Sequence, residues 1–315
     1  MKTVFLFPGQ GSQEVDMLKA LPLQNPLIQK IFQEAEEVLG KSIYELDSAD
    51  ALKLTVNVQL CLLISGVITA RQLMGQGINV DYVAGHSVGA FAAAVMCGTI
   101  SFKDAIALVA LRGQLMHDAY PINYGMAALV GFTVTHLQTY LIEHNKVHSE
   151  LFLANINSET QLVVAGRIDS IEVLIDKLKK AGIRKTKLLS VSVPSHCKLL
   201  EGVSSILEER IAAMQFMDPK IPYASNSTGR LLSRADEVKT DLWKNISTTV
   251  RWYDAITLIF ESGARVFIEM DPSGVLAKMT HESFPEANIL NTNKRSLEEL
   301  VVLWNASRQT DSSSN

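Results

Sequence analysis

The sequence predicts an α/β protein with a mostly parallel sheet, interrupted by a smaller inserted unit. Three observations carry this. Short apolar runs alternate with helix-length amphipathic stretches both before about residue 124 and after about residue 192. Between Gly125 and about Val191 the rhythm changes to β-α-β-β-α-β. Finally, 315 residues at 47% hydrophobic and 20% charged make room for a sizeable core, and at roughly 150 residues per domain for about two domains.

Taken in order, Thr3–Phe7 is an apolar run stopped by Pro8-Gly9-Gln10-Gly11-Ser12-Gln13, a buried strand running into a glycine-rich loop. Asn25-Pro26 opens an amphipathic helix that ends at Leu39 before Gly40, with proline just inside the start and glycine just past the end. About Val58 to Met74 is a long, mostly apolar stretch and reads as a buried helix. Asp81–Ala84 is a second strand, broken by Gly85-His86-Ser87-Val88-Gly89 and followed by the small-residue helix Ala90–Cys97. A helix follows at Phe102–Ala119.

The inserted unit is expected to contain strands at Met126–Phe132, Leu151–Ile156, Gln161–Ala165 and Lys185–Val191, with helices at Val134–His144 and Ser170–Ala181. That succession is the ferredoxin-like order. Alternation then resumes with a helix from about Cys197 to Met214, a strand at Ile221–Ala224, a helix at Trp252–Glu261, a strand at Arg265–Glu269 and a helix from Val275. The predicted division is therefore 1–124 with 192–307 as one discontinuous α/β domain, 125–191 as the insert, and 308–315, polar and serine-rich, as a disordered tail.

Lysine and arginine number 29 against 33 acidic residues, a net charge of −4, which leaves no electrostatic footprint for nucleic acid. Cys61, Cys97 and Cys197 are widely spaced, without a C-x-x-C pair or metal-ligand spacing, and read as reduced thiols of a cytosolic protein. The apolar run after Lys2 is too short for a signal-peptide core, and the apolar stretches around 60–70 and 88–100 fall short of the ~18 residues of a membrane span. A soluble cytoplasmic protein without a metal or bound cofactor is the expectation.

Gly85-His86-Ser87-Val88-Gly89 fits G-x-S-x-G, in which flanking glycines let a serine sit on a sharp strand-to-helix turn with its hydroxyl exposed. The strand before it and the small-residue helix after it are the context that such a turn requires. The helix N-terminus would aim free N–H groups at the serine. A serine hydroxyl needs a base, and histidine has the intrinsic pKa for it. Of seven histidines, His117, His136, His144, His148 and His281 fall on polar helix faces or in loops and read as solvated. His86 is held by the turn and expected to point away from Ser87. His196 sits in Val193-Pro194-Ser195-His196-Cys197, where the chain returns from the insert. Spacing alone does not pair it with Ser87.

Phe7-Pro8-Gly9-Gln10-Gly11-Ser12-Gln13, Gly85-His86-Ser87-Val88-Gly89, Leu111-Arg112-Gly113 and Val193-Pro194-Ser195-His196 occur in the order and at the separations of malonyl-CoA:acyl-carrier-protein transacylases, and the resemblance spans about residues 3 to 300. It implies an α/β-hydrolase-like larger domain with a ferredoxin-like insert. It further implies that Ser87 is acylated, that His196 is its base, that Arg112 binds the free carboxylate of malonyl, and that the backbone N–H groups of Gln10 and Val88 form the oxyanion hole. The substrate implied is malonyl-CoA and the acceptor a phosphopantetheine-type arm on an acyl carrier protein. The family orients its histidine with a main-chain carbonyl near a segment ending Gln-Trp; the matching segment here is Thr248-Thr249-Val250-Arg251-Trp252, which makes Arg251 the candidate.

Some departures resemble a narrower group. The elbow continues Gly89-Ala90-Phe91 where an acidic residue is usual, Tyr120-Pro121 precedes Tyr124-Gly125-Met126-Ala127, and Arg251-Trp252-Tyr253-Asp254-Ala255 and Glu269-Met270-Asp271-Pro272 follow. These look like the transacylase (epsilon) subunit of malonate decarboxylase, which implies decarboxylase subunits as partners. The alternatives are a malonyl transacylase of fatty-acid or polyketide synthesis, and a serine esterase or thioesterase. A non-catalytic scaffold would lack Ser87, His196 or Arg112, and all three are present.

Overall fold

The computed structural model describes residues 1–120, 122–191, 193–270, 273–292 and 295–312. The chain begins with strand β1 (Lys2–Phe7) and helix α1 (Pro26–Leu39), which Asn25 caps at one end and Gly40, at φ 65°, closes at the other. Helices α2 (Thr55–Gly75), α3 (Gly89–Met96) and α4 (Phe102–Ala119) follow, with β2 (Tyr82–Gly85) ahead of α3. The next stretch holds β3 (Tyr124–Val130), α5 (Val134–His144), β4 (Phe152–Ile156), β5 (Gln161–Arg167), α6 (Ile168–Lys180) and β6 (Lys185–Leu188). The chain finishes through α7 (Glu201–Ala212), β7 (Tyr223–Ala224), β8 (Leu231–Leu232), α8 (Ala235–Lys244), α9 (Trp252–Glu261), β9 (Ala264–Glu269), α10 (Val275–Ser283), β10 (Asn288–Asn291) and α11 (Leu297–Ser312).

Two sheets result. The larger runs β10-β9-β1-β2-β7-β8 and is parallel except where β8 returns antiparallel to β7. The smaller is antiparallel in the order β4-β5-β3-β6, so its third and first strands lie side by side at the centre. This is the mixed α/β architecture expected, with the β-α-β-β-α-β unit forming a sheet of its own.

Alternation along β1 divides the main core. Phe5 and Phe7 face a large cluster with α2, α3 and α4, while Val4 and Leu6 face a second cluster with α9 and α10. Because both faces are covered, β1 reads as a continuous apolar run, as parallel strands do. Helix α2 starts three residues earlier than its apolar run suggests and reaches 21 residues, long and apolar enough by length and composition to cross a membrane. It is instead a core helix, mostly buried against α1, α3 and α4.

At the C-terminus the expectation of disorder from 308 is corrected, since α11 continues to Ser312; residues 313–315 lie outside the described residues. Ser296 and Glu299 form a reciprocal capping box at its start, and Trp304 donates from Nε1 to Thr3 Oγ1 at 2.9 Å, pinning the helix to β1.

Candidate active site

The loop between β2 and α3 is a tight turn enforced by its glycines. A Cβ on Gly85 would collide with the backbone of Gly89, and one on Gly89 with the carbonyl of Phe7. His86 N–H donates to Phe7 O at 2.8 Å, tying the turn to the end of β1. At its apex Ser87 adopts φ 54°, left-handed backbone that L-residues avoid at a cost of about 1–2 kcal/mol. The strain thrusts the side chain into a cleft lined by strands β3 and β4, the start of α10 and the loops beside them, including Gly9, Gln10, Met126, Asn155, Val191 and Leu276.

Arg112 reaches Ser87 from α4. Gly113, next to it, allows α4 to lie against α2, since a Cβ there would come within 2.5 Å of Val56 Cα. The guanidinium is fully buried, with Nη1 donating to Gln59 Oε1 at 2.6 Å and Nη2 to Ser87 Oγ at 3.2 Å. Its Nε finds no acceptor, and no carboxylate pairs with Arg112 among the described residues. Burial pulls its pKa down to about 9, which still leaves it charged at neutral pH. A buried cation without an anion is costly, so the site is built to welcome one.

His196 lies on the other side of Ser87 and is also left-handed, at φ 64°. Its backbone N–H donates to Ile246 O at 2.8 Å, and its Nδ1 lies 2.6 Å from Asn245 O. A carbonyl only accepts, so the proton is on Nδ1 and the lone pair is on Nε2, 2.9 Å from Ser87 Oγ. Burial, with smaller contributions from the charges of Arg112 and His86, pushes His196 down to about 3 against the pull of the Asn245 carbonyl. The imidazole is therefore neutral at physiological pH and able to accept the serine proton. Gln10 and Val88 line the same cleft, and their backbone N–H groups have no acceptor among the described residues. Val88 occupies the N-cap position of α3, where free N–H groups are normal.

The geometry is that of an acyl-transfer site, and the comparisons with known proteins agree. Residues 4–310 match the family model described as "Acyl transferase domain". The chain belongs to that family. It is 33% identical over 280 residues to a malonyl CoA-acyl carrier protein transacylase of Bacillus subtilis, covering 88% of each chain, and 32% identical over 283 residues to that of Escherichia coli, covering 88% and 91%. Among solved structures, the malonyl CoA-acyl carrier protein transacylase of Coxiella burnetii superposes with a TM-score of 0.88 at 31% identity, over 92% of this chain and 93% of that one. A malonyl-transacylase in complex with a type II polyketide synthase acyl-carrier protein gives 0.87 at 30%, over 94% and 97%. This acyl transferase is thus an enzyme of a class whose chemistry the site can perform.

Two readings from the sequence are corrected. Arg251 does not orient the histidine. Its carbonyl accepts from Ala255 N–H in the first turn of α9 and its side chain pairs with Asp254 at 2.7 Å, whereas Asn245, at the C-cap of α8, offers a carbonyl that no further helical turn claims. His144 is not solvated: it is buried under α6 with Nε2 2.7 Å from Ser170 Oγ. Glu269, in the segment that resembles the narrower group, is buried and caps α10, accepting from the N–H groups of Leu276 and Ala277 at 3.0 and 2.7 Å. Pro121, Asp271 and Pro272 of that resemblance lie outside the described residues, as does Ser192 at the expected junction.

His86 behaves as read, with its ring edge-on to Trp252 at 5.5 Å and its Nε2 3.2 Å from Asn157 Oδ1. His117, His136, His148 and His281 are exposed. Gln59, Asn226 and Asn245 were not singled out from the sequence. No local motif marks them, because each matters through a partner 49 or more positions away. Among the described residues no group of three or more His, Cys, Asp or Glu side chains is placed to hold a metal ion.

Proposed function

We propose that this acyl transferase moves a malonyl group from malonyl-CoA to the thiol of a phosphopantetheine arm on an acyl carrier protein, by way of a Ser87 ester. One observation carries the reading: the serine hydroxyl lies between a neutral imidazole lone pair at 2.9 Å and a buried, carboxylate-free guanidinium at 3.2 Å. The first activates a nucleophile, and the second recognises an acyl chain that ends in a negative charge.

In the first half-reaction Ser87 Oγ attacks the thioester carbon while His196 Nε2 takes its proton. The carbonyl oxygen becomes an oxyanion facing the N–H groups of Gln10 and Val88, in sites where losing a single such donor costs roughly 3–4 kcal/mol. Collapse breaks the C–S bond, and the CoA sulfur leaves with the proton from His196. In the second, His196 takes the proton of the carrier thiol, the sulfur attacks the serine ester, and the proton returns to Ser87 as the C–O bond breaks. Throughout, Arg112 holds the distal carboxylate in a two-pronged grip that a lysine cannot copy.

The narrower expectation, a subunit of malonate decarboxylase with decarboxylase partners, has no counterpart among the relatives named above. Arg251 and Glu269 have structural jobs, and the relatives named above are malonyl transacylases that act on acyl carrier proteins. A malonyl transacylase of fatty-acid or polyketide synthesis is the better-supported reading. A cytoplasmic setting fits three cysteines that are buried and unpaired. The division of the chain into 1–124 with 192–307 and 125–191 fits two sheets that share no strand.

The test is intact mass after incubation with malonyl-CoA. A malonyl adduct that maps to Ser87, is absent in Ser87→Ala and is discharged by a holo acyl carrier protein is the expected result. Free malonate without an adduct on the carrier would make the protein a thioesterase, and an adduct persisting in Ser87→Ala would move the nucleophile elsewhere.

A further inference from the structure

We infer that Asn226 is a positioning residue that clamps the nucleophile turn in its strained form, and that Asp241 holds the clamp. The inference rests on the reading of Ser87 as nucleophile.

The left-handed Ser87 and the break at the end of β2 leave two backbone groups for something outside the turn to satisfy. The side chain of Asn226 takes both. Its Oδ1 accepts from Ser87 N–H at 2.9 Å and its Nδ2 donates to Gly85 O at 2.8 Å, across some 140 residues of sequence. An amide offers one acceptor and one donor in that fork at any pH, and the partners fix which way round it sits. The residue is buried, and its own backbone is tied as well: its N–H donates to Asp241 Oδ2 at 3.1 Å and its carbonyl accepts from Arg251 N–H at 2.7 Å.

Asp241 is a buried carboxylate with no cation beside it among the described residues. It is satisfied by donors instead: Tyr223 OH at 2.8 Å, Ser225 Oγ at 2.6 Å, and Ser227 through both N–H and Oγ at 2.9 and 2.6 Å. Such an array fixes the 225–227 loop, and with it the amide of Asn226. Asp241 also lies one helical turn before Asn245, whose N–H donates to Asp241 O at 2.9 Å and whose carbonyl orients His196. Helix α8 therefore carries the supports of both reacting groups, Ser87 through Asp241 and Asn226, and His196 through Asn245. A site assembled from four separate stretches of chain keeps its 2.9 Å serine–histidine contact because one helix references both.

The experiment measures the rate of Ser87 malonylation at saturating malonyl-CoA, the KM for malonyl-CoA and the labelled fraction, in wild type, Asn226→Ala and Asn226→Asp, from pH 5.5 to 8. Rates are normalised to the malonylatable serine. Asn226→Ala should lose 10- to 100-fold in rate with KM changed less than about 3-fold, because Arg112 and the cleft are untouched. Asn226→Asp can fill the fork only when its outer oxygen carries a proton to give to Gly85 O. Asp241 next to it favours that protonation, so the variant should gain activity as pH falls, over a range in which the wild type, with His196 neutral throughout, stays level.

A rate within 2-fold of wild type per labelled serine in Asn226→Ala overturns the inference. If that variant does not fold, Asn226→Asp decides: a pH profile parallel to wild type overturns it and a rate that rises as pH falls supports it. Failure of the underlying reading is separate, since it would appear as an unlabelled Ser87 in the wild type.

Discussion

Arg112 is the residue on which substrate choice turns, and its burial makes the expectation quantitative. Removing one partner of a buried hydrogen-bonded charge pair costs 2–5 kcal/mol, about 30- to several-thousand-fold. Arg112→Ala should lose that much in kcat/KM for malonyl-CoA and far less for acetyl-CoA, which brings no carboxylate to leave unpaired. Arg112→Lys should recover only part of it, because a point charge cannot replace a fork held at 2.6 Å by Gln59. Equal losses on both thioesters would mean that Arg112 supports the fold or the CoA moiety. His196 yields a second expectation at this scale. With its pKa pushed down to about 3, it stays neutral where an ordinary imidazole would be mostly protonated. The kcat/KM for Ser87 malonylation should be level between pH 8 and 5.5, whereas a base titrating at 6.5 would lose about ten-fold by pH 5.5. A midpoint near 6.5 in that profile would show that the histidine is not held as described.

Helix α4 shows how an element aims a residue. Its contact with α2 depends on Gly113, and Gln59 of α2 is the residue that braces Arg112. Gly113→Ala must push the helices apart, at about 1–3 kcal/mol for overpacking of this kind. Chemical denaturation should show that loss, and the KM for malonyl-CoA should rise more than that for acetyl-CoA as the guanidinium moves off its brace. A stability change under about 0.5 kcal/mol would mean the helices yield without strain. Elements with strong local signals were legible: the helices at Pro26–Leu39, Phe102–Ala119, Val134–His144 and Trp252–Glu261 have the bounds their caps and periodicity predict. Helix α8 escaped notice because its apolar face is only Val238 and Leu242, although Asp236 and Glu237 in its first turn were a usable sign. Its absence from the sequence reading explains the misplaced histidine partner, since without the end of α8 there is no reason to look at Asn245. The capping box Ser296–Glu299 was likewise an available signal for α11. Ser87, His196 and Arg112 were legible as residue types in motifs. Gln59, Asn226 and Asn245 were not, because support is a property of the fold and leaves no spacing behind.

At the scale of the whole molecule, the cost of keeping histidines neutral inside two sheets' worth of packing appears in the pH dependence of stability. His196, His86 and His144 are all held below the ordinary value of 6.5, with burial the leading cause in each. His196 and His86 stand at the junction of the two sheets, and His144 under the smaller one. A lowered pKa means the unfolded chain binds protons that the folded one refuses. Stability is therefore fully present above pH 6.5 and is lost as pH falls below it toward the folded-state value. For His196, at about 3 in the fold, the loss between pH 8 and pH 5 is about 2 kcal/mol, and the other two add in the same direction. Thermal unfolding of the wild type should thus shift down over that interval, at a pH where carboxylates have barely begun to titrate. His196→Gln removes the titration while keeping a polar side chain of similar reach, so its curve should be flatter between pH 8 and 5 than that of the wild type. A slope unchanged in His196→Gln would assign the acid sensitivity to other groups and leave the imidazole at an ordinary pKa in the folded protein.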